Sequence, residues 1–203
     1  MASLEVALVA AALASVDRPQ TLGFRGAMRA FRGDRRALTR ELAGGAGPAT
    51  RGYKTAAENL RRWEGGLRQP SAASRARLAG AASTAQLRDV LEAWRTRGVT
   101  VDLRGSVGFG GPDYLRARAI PGVYVPETAM RHVVRALREG RSADAGRAFG
   151  EAWAAAYIRE GGGTFAGLSD AALRRVERAA RESGGGTLAD FGDDLDLTIR
   201  PGF

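Results

Sequence analysis

Apolar positions from residue 55 onward predict a short, one-sided helix. Ala56, Leu60 and Trp63 fall on one face, while Thr55, Glu58, Asn59, Arg61 and Arg62 fall on the other. Thr55 is placed to cap it, Glu58 can reach back to the Thr55 amide, and Gly65-Gly66 stops it. Upstream, residues 3 to 15 read as an Ala-rich helix that packs on the body or on a second subunit. Gly26 to Arg32 carries Met28 and Phe31 three apart. Asp34 is placed to cap a helix over 35–42 that presents Leu38 and Leu42, and Gly44-Gly45 ends it. Downstream, Ser74 to Ala82 forms one helical stretch. Ser83 or Thr84 caps another, with Leu87, Val90, Leu91 and Trp94 on one side.

The pattern changes at Gly98. Val99 to Leu103 alternates as a strand does, and a second extended run, Ile120 to Val125, is interrupted by Pro121-Gly122. Three helical patterns follow. Pro126 leads into one bearing Met130, Val133, Val134 and Leu137, and Ser142 caps the next, with Ala145, Phe149, Trp153 and Tyr157, ended by Gly161 to Gly163. Ser169 caps the third, with Leu173, Val176 and Ala180, before Gly184 to Gly186. Asp194 to Arg200 alternates again and is expected to return to the first two strands. The expected fold is therefore mostly α, in the α+β class. A helical helix-turn-helix domain over 1–97 precedes a small α+β domain with a short sheet over 98–203.

Charge changes this picture more than composition does. The chain has 31 Lys+Arg and 22 Asp+Glu, a net charge of +9. Between Arg18 and Arg77 there are 14 basic and 4 acidic residues, so almost all of the surplus lies around the predicted Thr55 helix. A local concentration of this kind draws a polyanion to one surface. The order helix, helix, connection, helix within it is that of a helix-turn-helix domain, although Gly44 to Lys54 is longer than the compact motif's turn. The expected partner is double-stranded DNA. Asn59 and Arg62 are assigned to base edges, Arg51, Lys54, Arg61 and Arg68 to phosphate, and Thr55 to the groove wall, with Glu58 on the same face.

Other chemistry finds little support. With no cysteine, thiolate sites and disulfides are excluded. His132 is the only histidine and stands beside Arg131, so no metal cluster or Ser-His-Asp arrangement can form around it. Asp190, Asp193, Asp194 and Asp196 could hold a hard cation, yet Asp194 and Asp196 alternate with apolar residues as the polar face of a strand does. The run Gly108-Phe-Gly-Gly lacks the Lys-Ser/Thr of a phosphate loop. The expectation is a non-enzyme without cofactor or metal. The apolar stretch Val6 to Val16 is too short to span a bilayer and follows Glu5 rather than a basic start, so a cytoplasmic, nucleoid-associated location with no membrane partner is expected.

The run Asn59-Leu-Arg-Arg-Trp-Glu-Gly-Gly-Leu-Arg-Gln-Pro-Ser71 resembles the stretch after the recognition helix in phage-repressor-like regulators. A wider resemblance covers most of the chain after Thr21. Gly26-Ala-Met-Arg29, the Leu38 to Gly44 helix, the Arg-rich segment to Pro70 and Val99-Thr-Val-Asp-Leu-Arg104 occur in an order similar to the telomere terminal proteins of linear actinobacterial replicons. The order continues through Gly108-Phe109, Val123-Tyr-Val-Pro126, Ala155-Ala-Tyr157, Gly161-Gly162 and Asp194-Leu-Asp-Leu197.

That resemblance implies DNA binding at replicon ends, partnership with a telomere-binding protein and a DNA polymerase, and a hydroxyl that becomes joined to the first nucleotide. The last feature does not carry over. The family places a Thr-bearing loop between the first two strands, whereas Gly108 to Leu115 has no threonine and offers only Tyr114, with Ser106 nearby. These two read as turn residues before they read as nucleophiles. The expected function is sequence-specific duplex DNA binding of the terminal-protein type, with a homodimer as a further candidate. A helix-turn-helix transcriptional repressor and a non-DNA interaction or scaffold protein are the alternatives.

Overall fold

The computed structural model of the chain describes residues 3–16, 23–109, 111–160, 165, 167–183 and 186–202. The expected features at Thr21, Gly110, Gly161 to Gly163 and Gly184-Gly185 lie outside the described residues. The fold is mostly helical with one small antiparallel sheet, so the α+β class expected from the sequence is correct. The chain divides into two units, Ser15–Asp89 and Met1–Ala14 with Val90–Phe203. The division differs from the expected 97/98 boundary, since the first helix and residues 90–97 group with the C-terminal part of the chain.

The Ser15–Asp89 unit is helical. It contains α2 (Phe24–Ala30), α3 (Arg35–Leu42), α4 (Arg51–Glu64) and the greater part of α5 (Ala72–Arg97). Asp34 caps α3 by accepting the Ala37 amide at 2.9 Å, and the Gly45 amide closes its far end on Arg40 O at 2.9 Å. Ala27, Leu38, Leu60, Leu78, Ala81 and Ala82 form the core, with Phe24, Met28, Phe31 and Trp63 packed against it. Surface ion pairs Arg32–Asp89 and Arg88–Glu41, at 3.1 and 3.0 Å, join α5 to the segments around α3.

Two expected helix starts are corrected in α5. Ser83 and Thr84 do not cap a new helix: α5 is continuous, and their hydroxyls donate to the carbonyls of Ala79 and Gly80 at 3.1 and 3.0 Å. Such back-bonding satisfies a hydroxyl in mid-helix, where the same residue would otherwise favour a cap. The true cap is Ser71, whose Oγ accepts the Ser74 amide at 3.2 Å.

In the second unit, β1 (Val99–Gly108) is the central strand. It pairs antiparallel with β2 (Arg116–Val125) on one edge, and with β3 (Asp190–Phe191) and β4 (Asp196–Pro201) on the other. A short 3-10 turn, Pro112–Tyr114, lies between β1 and β2. Pro121 and Gly122 together oppose Asp102 as a bulge, and Asp102 Oδ1 accepts the Gly122 amide at 2.8 Å. The interruption read in the sequence is therefore a kink within one longer strand. Between β3 and β4, the Asp194 carboxylate accepts the Ser106 amide and hydroxyl at 2.9 and 3.0 Å, which depresses the Asp194 pKa below its ordinary 3.8. The last strand does return to the first, and Leu197 and Ile199 are buried while Asp196, Thr198 and Arg200 are exposed.

The helices of this unit are α1 (Leu4–Ala14), α6 (Glu127–Arg138), α7 (Ser142–Arg159) and α8 (Asp170–Ser183). Of the two packing partners expected for α1, the structure shows the body: α1 lies on α7 and β4. The approach is close, since a Cβ on Gly146 would stand 2.9 Å from Glu5 Cβ and one on Gly150 would stand 2.8 Å from Leu4 Cδ2. Ser142 starts α7 without capping it, since the cap position is Arg141. Ser169 does cap α8, accepting the Ala172 amide at 3.4 Å. Phe149, Trp153 and Ile158 of α7 are fully buried with Met130 of α6 and Val99, Val101 and Leu103 of β1.

Gly98 joins α5 to β1 at φ +67°, and a Cβ there would meet Val125 O at 2.5 Å and Tyr124 Oη at 2.8 Å. Gly122 has a similar φ of +76° but open space around it. Gly98→Ala is therefore expected to destabilise the unit by more than the roughly 1–3 kcal/mol of backbone strain alone, and by more than Gly122→Ala. Denaturation midpoints of the two variants check this, and equal losses would contradict it.

Glu92 on α5 accepts hydrogen bonds from Arg95 and, at 3.0 Å, from Arg138 on α6; these bonds lower its pKa from the ordinary 4.5 to about 2. A folded-state pKa below the unfolded one adds stability above pH 4.5 that is lost as pH falls toward 2. Acid unfolding should accordingly be less steep across pH 4.5 to 2 in Glu92→Gln than in the parent. An unchanged acid limb in thermal melts would refute the assignment.

Candidate nucleic-acid interface

Helix α4 begins one turn earlier than its sequence pattern suggested. Thr50, not Thr55, is the cap, and its Oγ1 accepts the Tyr53 amide at 3.2 Å. Thr55 lies inside the helix and is exposed. The missed signal is Tyr53 and Ala57, which are four apart, half-buried, and extend the apolar stripe of Leu60 by a turn. The early start shortens the connection from α3 to Ala43–Thr50. That connection still exceeds the three or four residues of a compact helix-turn-helix.

Leu60 is fully buried and fixes which side of α4 faces in. At about 100° per residue, Arg61, Lys54, Glu58, Arg51, Arg62, Thr55 and Asn59 then occupy, in that order, an arc of roughly 160° centred opposite Leu60. The structure thus brings seven of the eight sequence-selected residues onto one helix face. Arg68 lies apart, exposed in the turn after Gly66. The helix end is closed by the Leu67 amide on Arg62 O at 2.9 Å.

Grooves flank α4 on both sides. Arg51, Thr55, Asn59 and Trp63 line one, together with Arg77 from α5 and the end of α3, in a volume of about 500 Å³. Lys54, Glu58 and Arg61 line the other with Arg35, Arg36 and Thr39 of α3, in about 440 Å³. Arg35, Arg36 and Arg77 were not selected from the sequence, because their place beside α4 depends on packing between helices. Arg77 also donates to Leu42 O at 3.4 Å, and Arg35 is paired with Glu64 at 2.9 Å.

The role expected for Glu58 changes. It does not bond the Thr55 amide; its Oε1 accepts from Arg61 at 3.1 Å and Arg62 at 3.0 Å. The Arg61 hydrogen bond, with the charge of Arg62 added, holds the Glu58 carboxyl below its ordinary range. One carboxylate therefore gathers two guanidiniums on the exposed arc and offsets part of their charge. By contrast Arg51, Lys54 and Arg68 make no ion pair among the described residues.

The first turn of α4 has no acidic residue and carries Arg51 and Lys54. Cations near a helix N-terminus oppose the macrodipole, whereas an anion there is favoured. Electrostatics at the larger scale agree. Ser15–Asp89 contains 15 basic and 6 acidic residues, so this unit carries the whole net charge of +9 and the other unit is balanced.

The hydroxyls and the histidine considered from the sequence lie elsewhere. His132 is exposed on α6, Ser106 is bound to Asp194, and Tyr114 is 59% exposed after β1. No group of three or more His, Cys, Asp or Glu among the described residues is arranged to hold a metal ion. No helix among them is long and apolar enough to cross a membrane. Comparison with protein-family models, with curated proteins and with solved structures finds no match.

Because the α4 arc depends on Leu60, Leu60→Ala should cost about 2–5 kcal/mol and selectively lower amide protection in α2, α3 and α4. Hydrogen exchange that leaves these helices as protected as in the parent would refute this dependence.

Proposed function

We propose that the basic helical unit binds double-stranded DNA with α4 in the major groove, and that the chain is a DNA-binding factor of the terminal-protein type. It would then act in replication or maintenance of a linear replicon. The observation that carries this reading is the confinement of the entire net charge to one small unit whose α4 turns a polar, mostly cationic arc to solvent. A B-DNA major groove admits one α-helix, and cationic side chains in the flanking grooves are then within reach of the phosphate backbones on either side. Asn59 supplies an amide suited to adenine, and Arg62 a guanidinium suited to guanine. Arg51, Lys54, Arg61 and Arg68 hold phosphate, and Thr55 meets the groove wall.

Support for the terminal-protein type comes from the sequence phrases that resemble that family, which imply a telomere-binding protein and a polymerase as partners. The phage-repressor-like run from Asn59 to Ser71 supports a transcriptional repressor with the same reading helix. The pairing of both Arg61 and Arg62 with Glu58 favours a third reading, a scaffold whose surface arginines serve its own fold.

Binding to duplex DNA under varied salt separates these readings. A Kd near or below micromolar at physiological salt, rising steeply as salt is added, is the expected result. Asn59→Ala and Arg62→Ala should each reduce discrimination among sequences by about 1–3 kcal/mol. Arg68→Ala should weaken all sequences alike and reduce the salt slope by about one. Glu58→Gln, which releases two guanidiniums, should tighten binding to any duplex. Indifference to salt and to all four substitutions would favour the scaffold.

A further inference from the structure

The α+β unit holds a separate groove between the end of the β1–β2 hairpin and α8, with a volume of about 440 Å³. That size is typical of ligand sites. One side is aromatic. Phe109 and Phe165 meet edge to face with centroids 5.5 Å apart, and Phe109 stacks on Tyr157 behind it, also at 5.5 Å. Tyr114 adds a third ring at the mouth and is 59% exposed. Val176 and Ala179 of α8 form an apolar wall.

Two arginines complete the groove. Arg116 and Arg118 are two apart on β2 and so project to the same side of the strand. Backbone carbonyls orient both: Arg118 Nε donates to Val107 O at 3.2 Å, and Arg116 Nη1 donates to Leu115 O at 2.7 Å. A carbonyl directs a guanidinium without neutralising it. Among the described residues neither arginine makes an ion pair, and no carboxylate lines the groove. Elsewhere in this unit Arg95, Arg138, Arg141, Arg159, Arg181 and Arg200 are all paired with carboxylates. Other arginines of the unit, such as Arg104, Arg131 and Arg174, are also without an ion pair among the described residues, so what distinguishes Arg116 and Arg118 is that they share one groove with three aromatic rings.

We propose that this groove binds single-stranded nucleic acid, with bases against Phe109, Tyr114 and Phe165 and phosphates on Arg116 and Arg118. Ring faces are accessible to a base only when it is unstacked from a duplex, and stacking with cationic backbone contacts is the general chemistry of single-strand recognition. Its three rings and two guanidiniums are more than one base and one phosphate can use, which favours a strand over a lone nucleotide. The inference is independent of the duplex reading, since it concerns different residues in the other unit.

The test uses the full chain and a short oligothymidylate carrying 5-iododeoxyuridine. Photo-cross-linking should place adducts on Tyr114, Phe109 or Phe165, and Tyr114→Ala or the Arg116→Ala/Arg118→Ala double variant should weaken oligonucleotide binding by at least about fivefold. The same variants should leave duplex binding unchanged, while Arg61→Ala/Arg62→Ala should leave the groove adducts in place. Adducts confined to residues 51–68, or unaltered oligonucleotide affinity in both groove variants, would overturn the proposal. Equal competition by thymidine monophosphate and by the oligonucleotide, at matched nucleotide concentration, would also overturn it by assigning the groove to free nucleotide.

Discussion

Burial of Leu60 is the constraint on which the helical unit is organised. A helix with a single narrow apolar stripe can satisfy it in one orientation only, and Leu60 does so against Leu38, Leu78 and the small residues Ala27, Ala81 and Ala82. The orientation of seven polar side chains follows without any further interaction. Ala27, Ala81 and Ala82 belong to the same core, and grooves lie along the flanks of α4. Those grooves are where Arg35, Arg36 and Arg77 join the α4 arc.

The α+β unit depends on an analogous constraint at β1. Its backbone is hydrogen-bonded along both edges, while Val99, Val101 and Leu103 alternate into the core. Since β3 and β4 share one edge, the chain between them must leave and rejoin the sheet. Asp194 fills that gap by accepting from both the amide and the hydroxyl of Ser106. Asp194 and Ser106, which the sequence offers as part of an acidic cluster and as a free hydroxyl, are thus hydrogen-bonded to each other where β3 gives way to β4.

Charge is partitioned in the same manner as the fold. In the balanced unit several arginines, among them Arg95, Arg138, Arg141, Arg159 and Arg200, pair with a nearby carboxylate, and such exposed pairs contribute little to stability. Cations without an ion pair among the described residues line grooves in two places, beside α4 in the helical unit and at the aromatic groove. In both, the guanidiniums have neighbours suited to a nucleic acid: an amide and hydroxyl on α4, and ring faces beside β2. The reading of this molecule as a nucleic-acid-binding protein rests on those neighbours as much as on charge, because a solvated arginine surface needs neither.

Local pattern determined the class of the fold, the helix over 35–42, the helix bearing Met130 to Leu137, the return of the last strand, and the identity of the α4 face, because each depends on contacts within one or two turns or on strict alternation. It also located the excess charge. Tertiary structure decided the rest. Whether Ser83 and Thr84 interrupt α5, whether α1 joins the first unit or the second, and which arginines stand beside α4 are settled by packing between segments distant in sequence. A hydroxyl can cap a helix or bond back within it, and Glu58 can reach an amide or two guanidiniums; local sequence permits both. The surrounding core selects one, since it fixes where the backbone runs and hence which partner lies within hydrogen-bonding distance.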